Sequence, residues 1–319
     1  MARRDREDTQ LPVPNGWFAV AFARELREGE VRPLHYFGED LVLFRTRSGH
    51  ARVLDAFCPH LGAHLGHGGR VMGETLRCPF HGWQYDGTTG ECVHIPYCER
   101  IPQQARLRSW DVCEKNGMIF TWYHAEGKPP EWEFPALPEI GDPEWSEPRS
   151  FELEIPAHVQ DTHENNNDPV HFQFVHKMLE TPPGEISYSD GGRHYRMVNT
   201  SDQVTPFGTF RMSLVRDSWG LGLTAVRSEG IPGAGLLMYS STTPIDERRV
   251  LSRWLLTATN NWVDLAGEEF MKGLTDGVQQ DFPIWKNKVH RARPVLCEAD
   301  VYLAEFRKWA RQFYTNPAV

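Results

Sequence analysis

Two short runs carry residues suited to metal chemistry: Cys58-Pro59-His60-Leu61-Gly62 and Cys78-Pro79-Phe80-His81-Gly82-Trp83. Each offers one thiolate and one imidazole, and seventeen residues separate His60 from Cys78. Equal numbers of Cys and His on paired loops suit a two-iron, two-sulfur cluster in which two Cys hold one iron and two His the other. Exchanging two anionic thiolates for neutral imidazoles lowers the negative charge around the metal and raises its reduction potential. Gly and Pro in both runs suit tight loops that turn backbone N–H groups towards cluster sulfurs, which tunes the potential further. The competing use of these four residues is a structural zinc in a closed tetrahedral site. Zinc fingers of that composition usually place both Cys before both His, whereas here each loop carries one of each. His64 and His67 lie in the same stretch without ligand spacing. They are expected to be exposed loop residues, with packing the other role open to His64.

A second group spans Asn165-Asn166-Asn167-Asp168-Pro169-Val170-His171-Phe172-Gln173-Phe174-Val175-His176. Two His five apart are offset by about 140° around an ideal helix, a poorer fit to one metal than the i, i+4 pairing of zinc proteases. A bend or a π-type turn is needed to bring them together; two unrelated, partly buried His are the alternative. Further along, Phe270, Leu274, Val278 and Trp285 recur at helical spacing and mark an apolar face. Asp281 falls on that face, three residues after Val278 and four before Trp285, while Asp276 projects to the opposite side and is expected to meet solvent. A carboxylate on a buried stripe is costly unless paired or metal-bound, so Asp281 is either a salt-bridge partner or a metal ligand. Pro283 cannot continue the helical ladder and should kink the helix near Asp281.

C-x-H followed by C-x-x-H, with the flanking C-P-H-L-G and C-P-x-H-G-W residues, resembles the Rieske cluster box. Asp-x-x-His-x-x-x-x-His downstream of it resembles the mononuclear iron motif of Rieske non-haem iron oxygenases. The resemblance implies that Cys58, His60, Cys78 and His81 hold a Rieske-type 2Fe-2S cluster, and that His171 and His176 bind a mononuclear Fe(II). A distant carboxylate, here Asp281, completes a facial triad with positions open for dioxygen. By the same resemblance Asp168 is not a ligand but a bridge, in a relay from His81 of one subunit through Asp168 to His171 of the next within a head-to-tail homotrimer. Gln279-Gln280-Asp281-Phe282-Pro283-Ile284-Trp285-Lys286-Asn287-Lys288 is similar to the ligand-bearing segment of 3-ketosteroid 9α-hydroxylase oxygenases and sterol C7-desaturases. The tail, through Arg293-Pro294-Val295-Leu296-Cys297-Glu298, Phe306-Arg307-Lys308-Trp309 and Gln312-Phe313-Tyr314, resembles the same branch. Many members carry Asn four residues before the bridging Asp, where this chain has Glu164. Asn165, three before, resembles the carbazole-oxygenase arrangement and is a catalytic-site candidate.

The elements that must position these residues fall into two patterns. Residues 16–57 show short alternating runs such as Trp17-Phe18-Ala19-Val20 and Leu41-Val42-Leu43-Phe44, and the β pattern continues to Gly117-Met118-Ile119-Phe120-Thr121-Trp122. Six prolines between Glu126 and Ser150 exclude a regular helix or central strand and mark a connector. Beyond it, 156–179 look helical with interruptions, strand-like runs follow at 193–200, 209–216, 220–228, 234–241 and 250–259, and a last long helix runs from about Asp264 to Lys288. The fold class is therefore α+β. An all-β iron–sulfur domain is expected at 14–125, a connector at 126–149, and at 150–319 a catalytic domain that by resemblance has the helix-grip fold, an antiparallel sheet crossed by a long helix.

Bulk composition narrows the partners. The 319 residues hold 34 basic and 43 acidic side chains, a net charge of −9, which argues against nucleic-acid or anionic-membrane binding. Six Cys, two assigned to the cluster, show no disulfide framework, which together with the charged, non-apolar start at Met1–Asp8 points to the cytoplasm. No run approaches the roughly 20 apolar residues of a membrane span. The family resemblance implies a terminal oxygenase fed by an NAD(P)H-dependent flavin reductase, directly or through a ferredoxin, that oxidises a C–H bond with dioxygen. It suggests a steroid or sterol in an apolar pocket. An aromatic or heterocyclic oxygenase or demethylase, and a non-catalytic Rieske electron carrier, are the alternatives.

Overall fold

The computed structural model describes residues 11–177, 184–205 and 208–315, without the side chains of 203–205 and 265–271. The chain divides into two compact units, Trp17–Pro130 and a second one formed by residues from Glu131 onward together with those preceding Trp17. The first unit is all β. Its strands are Gly16–Phe22 (β1), Val31–Tyr36 (β2), Glu39–Arg45 (β3), Ala51–Asp55 (β4), Arg70–Met72 (β5), Thr75–Arg77 (β6), Gln84–Asp86 (β7), Cys92–His94 (β8), Ser109–Trp110 (β9), Val112–Lys115 (β10) and Met118–Tyr123 (β11). They form three sheets, ordered β1-β11-β10, β2-β3-β4-β9 and β5-β6-β7-β8. One Cys–His loop joins β4 to β5 and the other joins β6 to β7, so both rise from short antiparallel strands over a shared core containing Leu65, Leu76, Trp83, Tyr85 and Leu107.

The second unit is built on seven strands: Arg149–Ile155 (β12), Gly184–Ser189 (β13), His194–Thr205 (β14), Gly208–Trp219 (β15), Leu223–Glu229 (β16), Leu236–Pro244 (β17) and Val250–Ala258 (β18). Their order is β12-β18-β17-β16-β15-β14-β13, antiparallel throughout. Helices Val159–Asn166 (α1), Pro169–Phe174 (α2), Asn260–Gln280 (α3), Phe282–Asn287 (α4) and Val301–Ala310 (α5) accompany it. Side chains alternate across a strand, so register puts Met197, Arg216, Val226, Met238 and Leu256 on one face. Trp262, Val263, Leu274 and Val278 of α3 pack on that face against Trp254, Leu256 and Ala258. Phe306, Trp309 and Ala310, at i, i+3 and i+4 of α5, close its other end over Tyr195 and Met197.

Several elements differ from the sequence expectation for identifiable reasons. The long helix begins four residues earlier than expected and breaks at Asp281, where Pro283 enters the first turn of α4. The helical stretch expected at 156–179 resolves into two short helices, because Asp168-Pro169 starts a new one; its last two residues lie outside the described part. Strand β12 follows Pro148 directly and was hidden behind the proline run, and β13 is an edge strand too polar and exposed to show alternation. Helix α5 was also unread. Leu274 is half-buried and Val278 and Trp285 are buried, as the apolar stripe requires, and Asp276 is exposed; the side chain of Phe270 lies outside the described residues.

Candidate metal centres

The two Cys–His loops have the same backbone form. Cys58 N–H donates to Ala63 O (2.9 Å) and Gly62 N–H to Cys58 O (2.9 Å); correspondingly, Cys78 N–H donates to Trp83 O (2.7 Å) and Gly82 N–H to Cys78 O (3.2 Å). Gly62 and Gly82 take φ of 72° and 74°, the left-handed region that a side chain disfavours. At Gly82 an added Cβ would also meet Pro96 Cγ at 3.0 Å. Only the His position differs, third in one loop and fourth in the other, and the rings come together with centroids 4.6 Å apart. His60 stacks flat on Trp83 (4.6 Å, 8°).

Both thiols lie inside, Cys58 at 3% exposure and Cys78 at 2%. Burial pushes the Cys78 thiol up, backbone N–H groups of Phe80 and His81 act against that, and the neighbouring Cys58 sulfur adds to the rise. The buried His60 Nδ1 has no hydrogen-bond partner, which is what a ring nitrogen reserved for a metal would show. Two free, buried thiols and two imidazoles whose rings meet, one of each per loop, match the donor set of a cluster in which two Cys hold one iron and two His the other. Tyr85, two residues beyond Trp83, places its hydroxyl 3.0 Å from Cys58 Sγ. Sequence reasoning missed it, although its place just after the motif was the available signal. A hydroxyl donating to a ligand sulfur raises the potential of such a site.

The second centre gathers His171, His176 and Asp281, whose ligand atoms all lie within 4.8 Å of one another. Asp168 caps α2, its Oδ1 accepting from Val170 N–H (2.9 Å) and His171 N–H (3.4 Å), and Pro169 supplies the preset φ of the first turn. The helix ends at Phe174 with Val175 as its C-cap, and His176 follows just beyond it, alongside His171. The rings are 5.2 Å apart. Each His has its Nδ1 engaged: His171 with the backbone carbonyl of Asp168, His176 with Gln280 Oε1 at 3.1 Å. Donation from both Nδ1–H groups leaves both Nε2 lone pairs facing Asp281, at 4.0 Å from its Oδ1 and 3.4 Å from its Oδ2. Gln280 was not singled out from the sequence, because its role depends on a neighbour 104 residues away.

Asp281 is 6% exposed, and among the described residues its ion-pair partners are the two His. Its buried Oδ1 has no hydrogen bond. The Asp281 carboxylate favours the protonated ring of His176 and holds it above its ordinary pKa, whereas burial pushes His171 below it. Two imidazoles and an unsatisfied carboxylate on one side of a point fit the facial triad of non-haem Fe(II). The His171 ring N–H is taken by the backbone carbonyl of Asp168, and the Asp168 carboxylate Oδ2 stands 4.0 Å from that nitrogen. Glu164 does not join the centre. Buried on α1, it pairs with Arg307 (2.8 Å) and Lys288 (3.8 Å), while Asp161 pairs with Lys288 (3.1 Å) and His290 (3.2 Å). Burial would raise the Asp161 carboxyl, yet His290 and Lys288 outweigh it and hold it at about 2. These pairs tie α1 to the segment following α4 and to α5.

A cavity of about 360 Å³ opens on His171, His176 and Asp281. Phe172, Val226, Met238, Trp254, Leu274 and Val278 supply its apolar wall, and Asn165 also lines it. His64 is half-buried against Phe57 (5.1 Å) and His67 is exposed. All six cysteines are free.

Residues 16–110 match the Rieske [2Fe-2S] domain and residues 121–314 match the 3-ketosteroid 9α-hydroxylase C-terminal domain. The chain is 34% identical to cholesterol 7-desaturase nvd 1 of Ciona intestinalis, over 98% of this chain and 72% of that protein. It is 28% identical to the oxygenase component of 3-ketosteroid-9-alpha-monooxygenase of Mycobacterium tuberculosis, over 95% of this chain and 82% of that protein. Among solved structures, dicamba monooxygenase bound to dicamba shares the fold with a TM-score of 0.76 at 18% identity, over 94% of this chain and 97% of that one. NdmA of Pseudomonas putida CBB5 with caffeine does so at 0.75 and 23% identity, over 92% and 89%.

Proposed function

Since the chain belongs to the 3-ketosteroid 9α-hydroxylase family of Rieske non-haem iron oxygenases, we propose that it hydroxylates or desaturates a sterol or steroid. The class of the enzyme is a terminal oxygenase of a multicomponent system that uses dioxygen. The observation that carries the substrate proposal is the apolar cavity opening on the His171–His176–Asp281 group, in a chain matching relatives named for cholesterol and 3-ketosteroid over nearly its whole length. Cys58, His60, Cys78 and His81 would hold the cluster, and His171, His176 and Asp281 the mononuclear iron. When bound, these groups supply single electrons and dioxygen activation.

The chain's own residues contribute the rest. Asp168 O and Gln280 Oε1 fix the two His tautomers, and Tyr85 hydrogen-bonds a cluster ligand. Phe172, Leu274 and Val278 exclude water from the cavity and seat an apolar ring system. Electrons would come from an NAD(P)H-dependent flavin reductase, directly or through a ferredoxin, with the chain assembled as a cytoplasmic homotrimer. Among the described residues no helix is long and apolar enough to cross a membrane. The test is oxygen uptake and product analysis by the holoenzyme with a reconstituted reductase, on sterols and ketosteroids against aromatic ethers and methylxanthines. Product-coupled uptake with a steroid is expected; coupling only to the aromatic or N-methyl compounds would move the substrate proposal to those classes.

Asp168→Asn tests the proposed bridge between subunits. Asn caps a helix as well as Asp does, and the backbone carbonyl that orients His171 is untouched. Iron and cluster are therefore expected to stay bound while cluster reoxidation, followed after rapid mixing with substrate and oxygen, slows by about a hundredfold, the upper range for losing an outer partner of a ligand. Reoxidation at the wild-type rate would reduce Asp168 to a helix cap.

A further inference from the structure

Resting on the steroid proposal, we propose that Thr242 and Ser252 form the subsite that takes the substrate's single oxygen function, an oxo or hydroxyl group on an otherwise apolar skeleton. The two residues face each other across β17 and β18 and line the cavity. Their hydroxyls are 2.9 Å apart. Both are buried, Thr242 at 9% and Ser252 at 1% exposure. Each hydroxyl carries one proton and two lone pairs. One hydrogen bond between them uses one proton, so the pair retains one O–H to donate and lone pairs to accept. Leaving such a donor unanswered in an apolar wall is costly, and a ketone or alcohol oxygen answers it. Ser240, two residues before Thr242 on the same face, extends the hydroxyl patch.

The same wall sets what the subsite refuses. Among the described residues lining the cavity there is no Lys or Arg, and the carboxylate present is Asp281. A sulfated or carboxylated steroid would bring an anion with no cation to meet it. The recognised ligand is therefore a neutral oxygenated steroid.

Equilibrium dialysis of the holoenzyme against androstane, androstan-3-one, androstan-3β-ol and androstan-3β-yl sulfate tests this. Wild type should bind the ketone and the alcohol about tenfold more tightly than the hydrocarbon, the worth of one well-placed hydrogen bond, and should bind the sulfate least. Because each single variant leaves one hydroxyl in place, the double variant Thr242→Val/Ser252→Ala is decisive: its ratio of hydrocarbon to ketone Kd should fall to about one. Taking a ratio within one variant removes general damage to the pocket. Ser252→Ala alone deletes one atom and serves if the double variant misfolds, with the preference expected to drop about threefold as Thr242 loses the partner that orients it. Thr242→Ser keeps the hydroxyl and should keep the preference. An unchanged preference in the double variant, or its loss in Ser240→Ala alone, overturns the assignment. No binding of any steroid to wild type would overturn the substrate proposal and this subsite with it, whereas binding with an unaltered preference overturns the subsite alone.

Discussion

Replacing Asp281 by alanine is expected to strip the mononuclear iron and leave the cluster intact. Asp281 is the carboxylate facing both Nε2 atoms of the His pair, and its buried Oδ1 has no other partner. Losing an outer partner of a metal ligand typically costs ten- to a hundredfold in metal affinity, so losing a ligand itself should exceed that, and oxygen-coupled turnover should fall by more than about a thousandfold. The cluster ligands belong to the other compact unit, Trp17–Pro130, and the visible spectrum should not change. Iron content per chain should fall from about three to about two. Full iron content in Asp281→Ala would remove Asp281 from the ligand set.

The complementary loss is expected from Cys78→Ser. Serine presents a harder oxygen that stays protonated at neutral pH and replaces thiolate poorly on iron–sulfur iron. The loop would keep its hydrogen bonds from Cys78 N–H to Trp83 O and from Gly82 N–H to Cys78 O, since both are made by backbone. The variant is thus expected to fold but to lose visible absorption and the low-g EPR signal of a Rieske centre, with about one iron per chain remaining. Turnover with reductase should be undetectable. A coloured variant with an unchanged EPR signal would contradict the assignment.

Legibility in the sequence followed the range over which each feature is determined. The candidate cluster residues lie within two short loops, so residue type and spacing alone singled them out, and the glycines read as suiting tight loops take positive φ. His171 and His176 were visible as a pair that needed a bend, but the end of α2 after Phe174 that supplies it was not. Asp281 was exposed by an amphipathic stripe, a signal that survives because α3 lies along the sheet. Gln280 acts through a partner 104 residues away and carries no local signature, whereas Tyr85, 27 residues from Cys58, was signalled only by its place just after the second motif. Asp168 shows the opposite difficulty. Three residues before His171, it would share a helical face with that residue on an unbroken helix, but Pro169 makes it the cap, and its carbonyl rather than its carboxylate meets the ring nitrogen. Strand β13 and the start of β12 were lost because polar edge residues and a preceding proline conceal alternation.

The central claim, two separate iron centres in one chain, is tested most directly by metal and acid-labile sulfide analysis of the purified holoprotein. About three irons and about two sulfides per chain are expected, two irons with the sulfides at the Cys–His loops and one at His171, His176 and Asp281. About one zinc per chain with no sulfide would contradict it, turning the paired loops into a structural zinc site and leaving the second centre without an electron source.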